Sequence, residues 1–155
     1  MNASTARALL VGLLVALWVW LSGMARLRVE IWPGIVALGC YFAAGGGLSG
    51  LQKTLIGTLS GVVWVLVADA VRVAIGGTSI VTALIAGAMV CAIVLVARVP
   101  LLAFTAGALA GAGVAWGLGV NTMNEAIRAG IALAVGAVLG FVAERLAGAI
   151  ASRRS

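Results

Sequence analysis

Six long apolar runs with short interruptions make up most of the chain and limit what it can fold into. The runs cover residues 8–25, 31–47, 54–75, 79–99, 101–120 and 126–150. A helix of about 20 apolar residues crosses the hydrocarbon core of a bilayer. Only 9% of the 155 residues are charged and 64% are hydrophobic, whereas about a quarter are charged in soluble domains. The sequence predicts an all-α integral membrane protein, one transmembrane domain over residues 1–155 with about six helices, or alternatively five.

The formal net charge of +6 does not indicate a nucleic-acid site. The ten Lys and Arg residues are scattered at the ends of the predicted spans, and only Arg153 and Arg154 are adjacent. Basic residues that flank spans are typical of membrane insertion. We therefore expect the lipid bilayer, and no nucleic acid, as a partner.

Enzyme chemistry finds little support. Gly47-Leu48-Ser49-Gly50 matches the GxSG pattern around the serine of rhomboid intramembrane proteases, which need a histidine base, and this chain has no histidine. The four carboxylates and the separated Cys40 and Cys91 show no metal-ligand spacing. We expect no enzyme activity, no metal and no cofactor.

The chain pairs with itself when it is shifted by 72 to 75 residues. The pairs include Arg26–Arg98, Gly39–Gly111, Gly47–Gly119, Lys53–Arg128, Ile56–Ile131, Gly61–Gly136 and Asp69–Glu144. Because charged residues are scarce, the aligned charges indicate a duplication. Each unit has three spans, an odd number, so the first half (about 8–75) and the second half (about 79–150) would have opposite orientations in the membrane.

Each half contains a glycine-rich break before a helix that carries a cation. We call residues 45–50 the first break and residues 117–122 the second break; Lys53 and Arg128 follow them. Irregular backbone within a bilayer survives only inside protein or beside water, and a helix N-terminus favours an anion. The candidate solute-binding residues are Gly45, Gly46, Gly47, Ser49, Lys53, Gly117, Gly119, Asn121 and Arg128. The alternative is an interfacial turn whose cation extends to the headgroups.

Acidic side chains near the ends of spans are the remaining candidates. Asp69 and Arg72 share a helix face because they are three positions apart. An ionisable residue in a span is a functional candidate, so Asp69 is a hypothetical coupling or counter-ion site, with a purely structural ion pair as the alternative. Glu144 lies near the end of the last span, and we expect it at the interface.

Residues 39–68, GCYFAAGGGLSGLQKTLIGTLSGVVWVLVA, resemble the bacterial inner-membrane family catalogued as domain of unknown function 1097. The similar elements are Tyr41-Phe42-Ala43, the run from Gly46 to Leu51, and Ser60-Gly61-Val62-Val63-Trp64. The resemblance implies a bacterial inner (cytoplasmic) membrane protein and assigns no activity. Members can have Cys-Pro-Gln before the glycines, where this chain has Ala44-Gly45. A shorter likeness to aromatic-acid exporter and chloroplast nitrite-transporter families implies anion transport.

Two functions compete for this pattern. The first is a membrane transporter or channel for a small solute, an anion or a small polar molecule, with its site between the two halves. The alternative is a non-transporting scaffold or accessory subunit, whose small-xxx-small glycine spacings serve helix packing. A homo-oligomer is expected in either case. The two functions differ in whether Lys53 and Arg128 approach a shared hydrated cavity or point outward.

Overall fold

The computed structural model describes residues 3–24 and 30–152, and over these residues the chain is all-helical. The helices are α1 (Ala3–Met24), α2 (Trp32–Ala43), α3 (Gly47–Ile75), α4 (Ser79–Val96), α5 (Thr105–Gly117) and α6 (Met123–Ser152). A 3-10 turn at Pro100–Leu102 precedes α5. Arg26, and with it the predicted pair Arg26–Arg98, lies outside the described residues, as do Arg153 and Arg154.

Three helices in the described part of the chain are long and apolar enough to cross a membrane. They are α3, α4 and the part of α6 from Met123 to Ile150. The short helices α2 and α5 have 12 and 13 residues. At 1.5 Å per residue they are only about 18 to 20 Å long, against about 30 Å of hydrocarbon. The fold is that of a helical membrane protein, and the count of six complete spans stays a prediction.

Small residues fill the interior, and large apolar side chains cover the exterior. Alanine supplies more than half of the buried hydrophobic residues, with Ala37, Ala115 and Ala137 fully enclosed. Leu13 is 68% exposed and Ile80 is 74% exposed. Water would oppose so large an apolar surface, whereas lipid tails would not, and close packing of small residues holds helices together in lipid. The distribution agrees with a bilayer as the solvent.

Glycines set the contact between α3 and α5. Gly61 faces the backbone of Ala108 and Ala112, and Gly111 faces the backbone of Thr58. The two helices are so close that a Cβ on either glycine would overlap the facing main chain. The predicted small-xxx-small spacings therefore act here as packing surfaces.

An equivalent contact joins α2 and α6. Gly136 of α6 lies against the backbone of Gly34, and further along the helix Gly140 lies against the rings and methyl groups of Tyr41 and Leu38. Residue numbers rise together along both helices, so α2 runs parallel to α6. The same holds for α5 and α3, because Gly57 lies against Gly107 and Gly61 against Ala112.

These parallel pairs bring each break beside the C-terminal part of the other half's long helix. The second break, after α5, lies beside Asp69 of α3. The first break, after α2, lies beside Glu144 of α6. The outer helices α1 and α4 pack on α6 and α3, respectively. The fold therefore places one carboxylate at each break.

Candidate functional site

The first break is a tight reversal built on consecutive glycines. Gly45, Gly46 and Gly47 have φ values of 94°, 69° and 65°. Glycine adopts this left-handed region without the steric cost that a Cβ brings. The N–H of Gly50 donates to the carbonyl of Gly46 at 2.9 Å and starts α3. The helix thus begins several residues before the predicted span at 54, and the exposed Lys53 lies in its second turn.

A tyrosine and a glutamate close this break. The hydroxyl of Tyr41 donates to Oε2 of Glu144. The N–H of Gly47 donates to Glu144 Oε2 and to the Tyr41 hydroxyl oxygen, both at 2.8 Å. Tyr41 is fully buried, and its ring packs against Gly140. A carboxylate is favourable at a helix N-terminus, so α3 carries the protein's own anion where the sequence predicted a solute.

The second break is capped from within its own helix. Oε2 of Glu125 accepts from the N–H of Asn121 at 3.0 Å and from that of Thr122 at 3.1 Å. The N–H of Glu125 reaches Oγ1 of Thr122 at 3.4 Å. This is a capping box, in which an N-cap threonine and a glutamate three residues later satisfy the free donors of a helix start. Gly119, with φ 66°, makes the turn before it.

A cavity of about 350 Å³ opens beside the second break. Its polar lining comes from four segments: Asp69 and Arg72 of α3, Thr82 of α4, Trp116 of α5 and Asn121 after it. The apolar part of the wall consists of Val65, Ala68, Ile85, Gly119 and Val120. The cavity thus offers a carboxylate, a guanidinium, an amide, a hydroxyl and an indole to one small molecule.

The charged pair in this cavity is oriented by the helix. Nε and one terminal nitrogen of Arg72 donate to Oδ1 of Asp69 at 2.8 and 2.7 Å, across the predicted i, i+3 spacing. The Asp69 side chain is 19% exposed and that of Arg72 is 41% exposed. Oδ2 of Asp69 makes no hydrogen bond or ion pair to a described residue. The pair is therefore neutral as a whole but keeps one carboxylate oxygen and part of the guanidinium for a ligand.

The predicted solute-binding residues, and Asp69 as the predicted coupling or counter-ion site, divide between the two ends of α3. Asp69, Gly119 and Asn121 line the cavity, whereas Gly46 and Gly47 contact Glu144. Gly47 and Asp69 are about 33 Å apart along α3 at 1.5 Å per residue. The two breaks therefore do not line a shared cavity in this structure.

The remaining predicted residues lie outside this cavity. Gly45, Ser49, Lys53 and Gly117 are not in its lining, and Lys53 is exposed. Arg128 is also exposed and lines a smaller cavity of about 170 Å³ together with Glu30 and Glu125. Within the described residues, no group of three or more Cys, Asp or Glu side chains is arranged to hold a metal ion.

One protein family matches almost the whole chain, including both breaks. The family described as "Protein of unknown function (DUF1097)" matches residues 8–148. The chain belongs to the DUF1097 family. The resemblance read from residues 39–68 is thus confirmed and extends through the second break to Glu144. No curated protein and no solved structure matches this DUF1097 chain.

The sequence interpretation passed over residues that the structure brings to the breaks. Glu144 was expected at the interface, which stays a prediction, but its role as the cap of α3 in this DUF1097 protein was not foreseen. Its pairing with Asp69 at a shift of 75 residues was the available signal. For Glu125 the signal was Thr122-x-x-Glu125, the sequence signature of a capping box. Tyr41 belonged to the Tyr41-Phe42-Ala43 element of the family resemblance, but no local pattern indicated its contact with Glu144.

Proposed function

We propose that this DUF1097 protein is a transporter or channel for small polar solutes, in the inner membrane of a bacterium. The observation that carries the proposal is the cavity at the second break, where the Asp69–Arg72 pair lies between helices of membrane-spanning length. Ionisable residues in membrane helices are costly and usually line a water-filled or solute path. The pair is therefore proposed as the solute-binding group.

The proposal includes two inverted halves, which three observations support. The short helices of 12 and 13 residues each precede a break and a long helix of 29 or 30 residues. Gly61 and Gly136, paired by the 75-residue shift, each lie where a long helix meets the short helix of the other half. Asp69 and Glu144, paired by the same shift, each lie beside the other half's break. Transporters built this way bind solutes between their repeats.

The lining favours a solute that carries both charges over a simple anion. One carboxylate and one guanidinium face the cavity, and the indole of Trp116 offers a surface for a cationic group. Lys53 and Arg128, which were expected to attract an anion, lie outside it. A volume of about 350 Å³ lies near the lower end of the range for ligand sites, about 300 to 1,000 Å³. A small zwitterion fits this combination of charge and size.

The test compares two solutes of one skeleton in proteoliposomes, L-alanine and L-lactate, which differ in an ammonium against a hydroxyl group. We expect alanine to enter faster than lactate. Asp69→Asn should lower alanine entry about tenfold, since a hydrogen bond to a charged group is worth about 1.5 to 3 kcal/mol and a decade is about 1.4 kcal/mol. It should also shift the preference toward lactate, because Arg72 loses its counter-charge. Arg145→Gln removes an exposed charge outside the cavity and serves as the control.

Two results would sink the proposal of a zwitterion transporter whose site is the Asp69–Arg72 pair. One is entry of both solutes at the rate of protein-free liposomes. The other is an Asp69→Asn variant that behaves like Arg145→Gln.

A scaffold or accessory subunit, assembled as a homo-oligomer, is the second candidate. The exposure of Lys53 and Arg128 and the backbone contacts at Gly61 and Gly136 favour it. In that case Lys53→Ala leaves the oligomer mass in detergent unchanged, and no cavity variant alters solute entry.

A further inference from the structure

One end of this bundle has a cavity and the other end is filled by side chains, although the chain supplies the two ends with corresponding residues. The cavity at the second break is lined by Val65, Ala68 and Asp69 of α3. At a shift of 75 residues these correspond to Gly140, Ala143 and Glu144 of α6. Both alanines are buried, but Ala68 keeps 7% of its surface exposed where it lines the cavity, whereas Ala143 keeps none. A space present at one end is therefore filled at the other.

The filling group at the first break is the side chain of Tyr41. A Cβ added to Gly140 would come within 2.6 Å of Cδ1 of this ring, so the absence of a side chain at residue 140 makes room for it. The hydroxyl then reaches Glu144 and the first N–H of α3. At the second break the corresponding long-helix position is Val65, and the aromatic residue near the end of the short helix, Trp116, is 43% exposed.

We propose that the first break is a second solute site, held closed by Tyr41 and Glu144, through which the zwitterion reaches the opposite side of the membrane. This inference rests on the proposed transport function. When the Tyr41 ring leaves Gly140, Glu144 becomes available to the solute's ammonium group, as Asp69 is in the present state. Opening at one end accompanies closing at the other, because α3 and α6 each contribute to both ends and contact each other.

Close packing supports this coupling. The two long helices meet the short helices through backbone contacts at Gly61 and Gly136, so the helices move as packed pairs rather than by local bending. The distance between the ends, about 33 Å along α3 at 1.5 Å per residue, is comparable to the hydrocarbon thickness of about 30 Å. Sites at the two ends would therefore serve the two sides of the membrane.

The experiment measures how accessible one residue position at each end, Ala68 or Ala143, is to a water-soluble reagent. In a background with Cys40→Ala and Cys91→Ala, the single substitutions Ala68→Cys and Ala143→Cys place a thiol at the open and the closed site. The probe is the water-soluble reagent 2-(trimethylammonium)ethyl methanethiosulfonate, applied to protein in nanodiscs so that both sides are reached. We expect the thiol at residue 68 to react at least about tenfold faster than the thiol at residue 143, equivalent to about 1.4 kcal/mol.

We call the contact between Tyr41 and Glu144 the latch. Releasing it should reverse the order of the two reaction rates. Glu144→Ala should speed reaction at residue 143 and slow it at residue 68, each by about tenfold. The ratio of the two rates then changes about 100-fold, which corresponds to about 2.8 kcal/mol of shift between the two states. Tyr41→Phe keeps the ring but loses its hydroxyl, and should give a smaller change in the same directions. If Glu144→Ala does not fold, Tyr41→Phe alone decides. Arg145→Ala, an exposed neighbour whose guanidinium lies over Phe141, is the matched control.

Three results overturn the inference: equal rates at the two sites in the starting protein, no change on latch substitution, or a faster reaction at residue 143 with an unchanged rate at residue 68. The readout needs no solute, so it separates this inference from the proposed function. If alanine enters but the two thiol rates do not change together, the transport function stands and the second solute site is refuted. If the two thiol rates change in opposite directions but alanine does not enter, the assignment of a zwitterion as the solute is refuted instead.

Discussion

At the first break, three glycines with positive φ carry the chain from α2 into α3, and Tyr41 and Glu144 fill the space behind them. At the second break, Gly119 makes a similar turn from α5 into α6, and a cavity remains beside Asp69. Both turns use glycine and both face a carboxylate from the other half's long helix. What differs is the side chain that the short helix places in the gap.

The comparison teaches that helix capping and gap filling are separate here. At the N-terminus of α6, the free N–H groups of Asn121 and Thr122 donate to Glu125, which is only four and three residues away in sequence. The N-terminus of α3 depends on Glu144, 97 residues away in sequence. The second end therefore keeps its helix start whether or not its cavity is occupied, whereas the first end loses a cap when its latch opens.

The largest expected effect tests whether the two halves share one packing design. Gly61→Ala and Gly136→Ala each place a Cβ on the facing backbone, of Ala108 and Gly34 respectively, where no side chain can move aside. We expect each to destabilise the fold at or above the upper end of the overpacking range of about 1 to 3 kcal/mol. Thermal unfolding in detergent measures it.

The control for this pair is Gly113→Ala, on the exposed face of α5 with nothing within 4 Å of the added Cβ. It should leave the unfolding midpoint within the range of an ordinary surface substitution. A large loss at Gly61 with none at Gly136 would contradict equivalent halves.

The next effect separates the two turns. Gly46 has φ 69° and ψ −169°, a region that is essentially restricted to glycine, and a Cβ there would lie 2.7 Å from Oε2 of Glu144. Gly119 has φ 66° and open space around its Cβ position. Gly119→Ala should cost only the backbone strain, about 1 to 2 kcal/mol. Gly46→Ala should cost more, up to about 3 kcal/mol, since it also displaces the carboxylate.

Unfolding midpoints and the accessibility of the Ala143→Cys thiol report on this pair of variants. Gly46→Ala should raise that accessibility, and Gly119→Ala should not. Equal losses of stability, together with an unchanged thiol, would show that the contact between Gly46 and Glu144 has no role in closure.

The fold was predictable to the extent that it depends on apolar length. The runs at 79–99 and 126–150 appear as α4 and α6 with boundaries shifted by a few residues. The start of α3 was missed, because an apolar window ignores the first two turns, Gly47 to Lys53, which contain polar residues but are helical. The predicted runs at 31–47 and 101–120 are longer than α2 and α5, since glycine and alanine keep a window apolar beyond the last helical residue.

The site was predictable only in part. Asp69, Gly119 and Asn121 were singled out from the sequence and line the cavity. They could be predicted because an ionisable residue in a span and a glycine break are both local sequence signals. The Glu144–Tyr41 contact is tertiary, and no local pattern indicates which helix end a carboxylate will reach. The expectation of an anion site at the start of α3 did not consider that the chain supplies an anion itself. The repeat pairing of Asp69 with Glu144 contained that information.

The smallest expected effect concerns the local cap of the second break. Thr122→Ala removes the hydroxyl that meets the N–H of Glu125 at 3.4 Å, a long contact, so the loss should lie near the lower end of the capping range, about 0.5 kcal/mol. Hydrogen exchange should speed up at the first turn of α6. The thiol rates of the Ala68→Cys and Ala143→Cys variants should stay unchanged, because Thr122 is not part of the lining of the cavity beside Asp69 and lies at the other end of the bundle from the Tyr41–Glu144 latch. Ser49→Ala, an exposed polar substitution in the first turn of α3, is the matched control. If Thr122→Ala alters the thiol rate at either end, the cap takes part in gating, and the distinction between a self-capped end and a latched end would have to be abandoned.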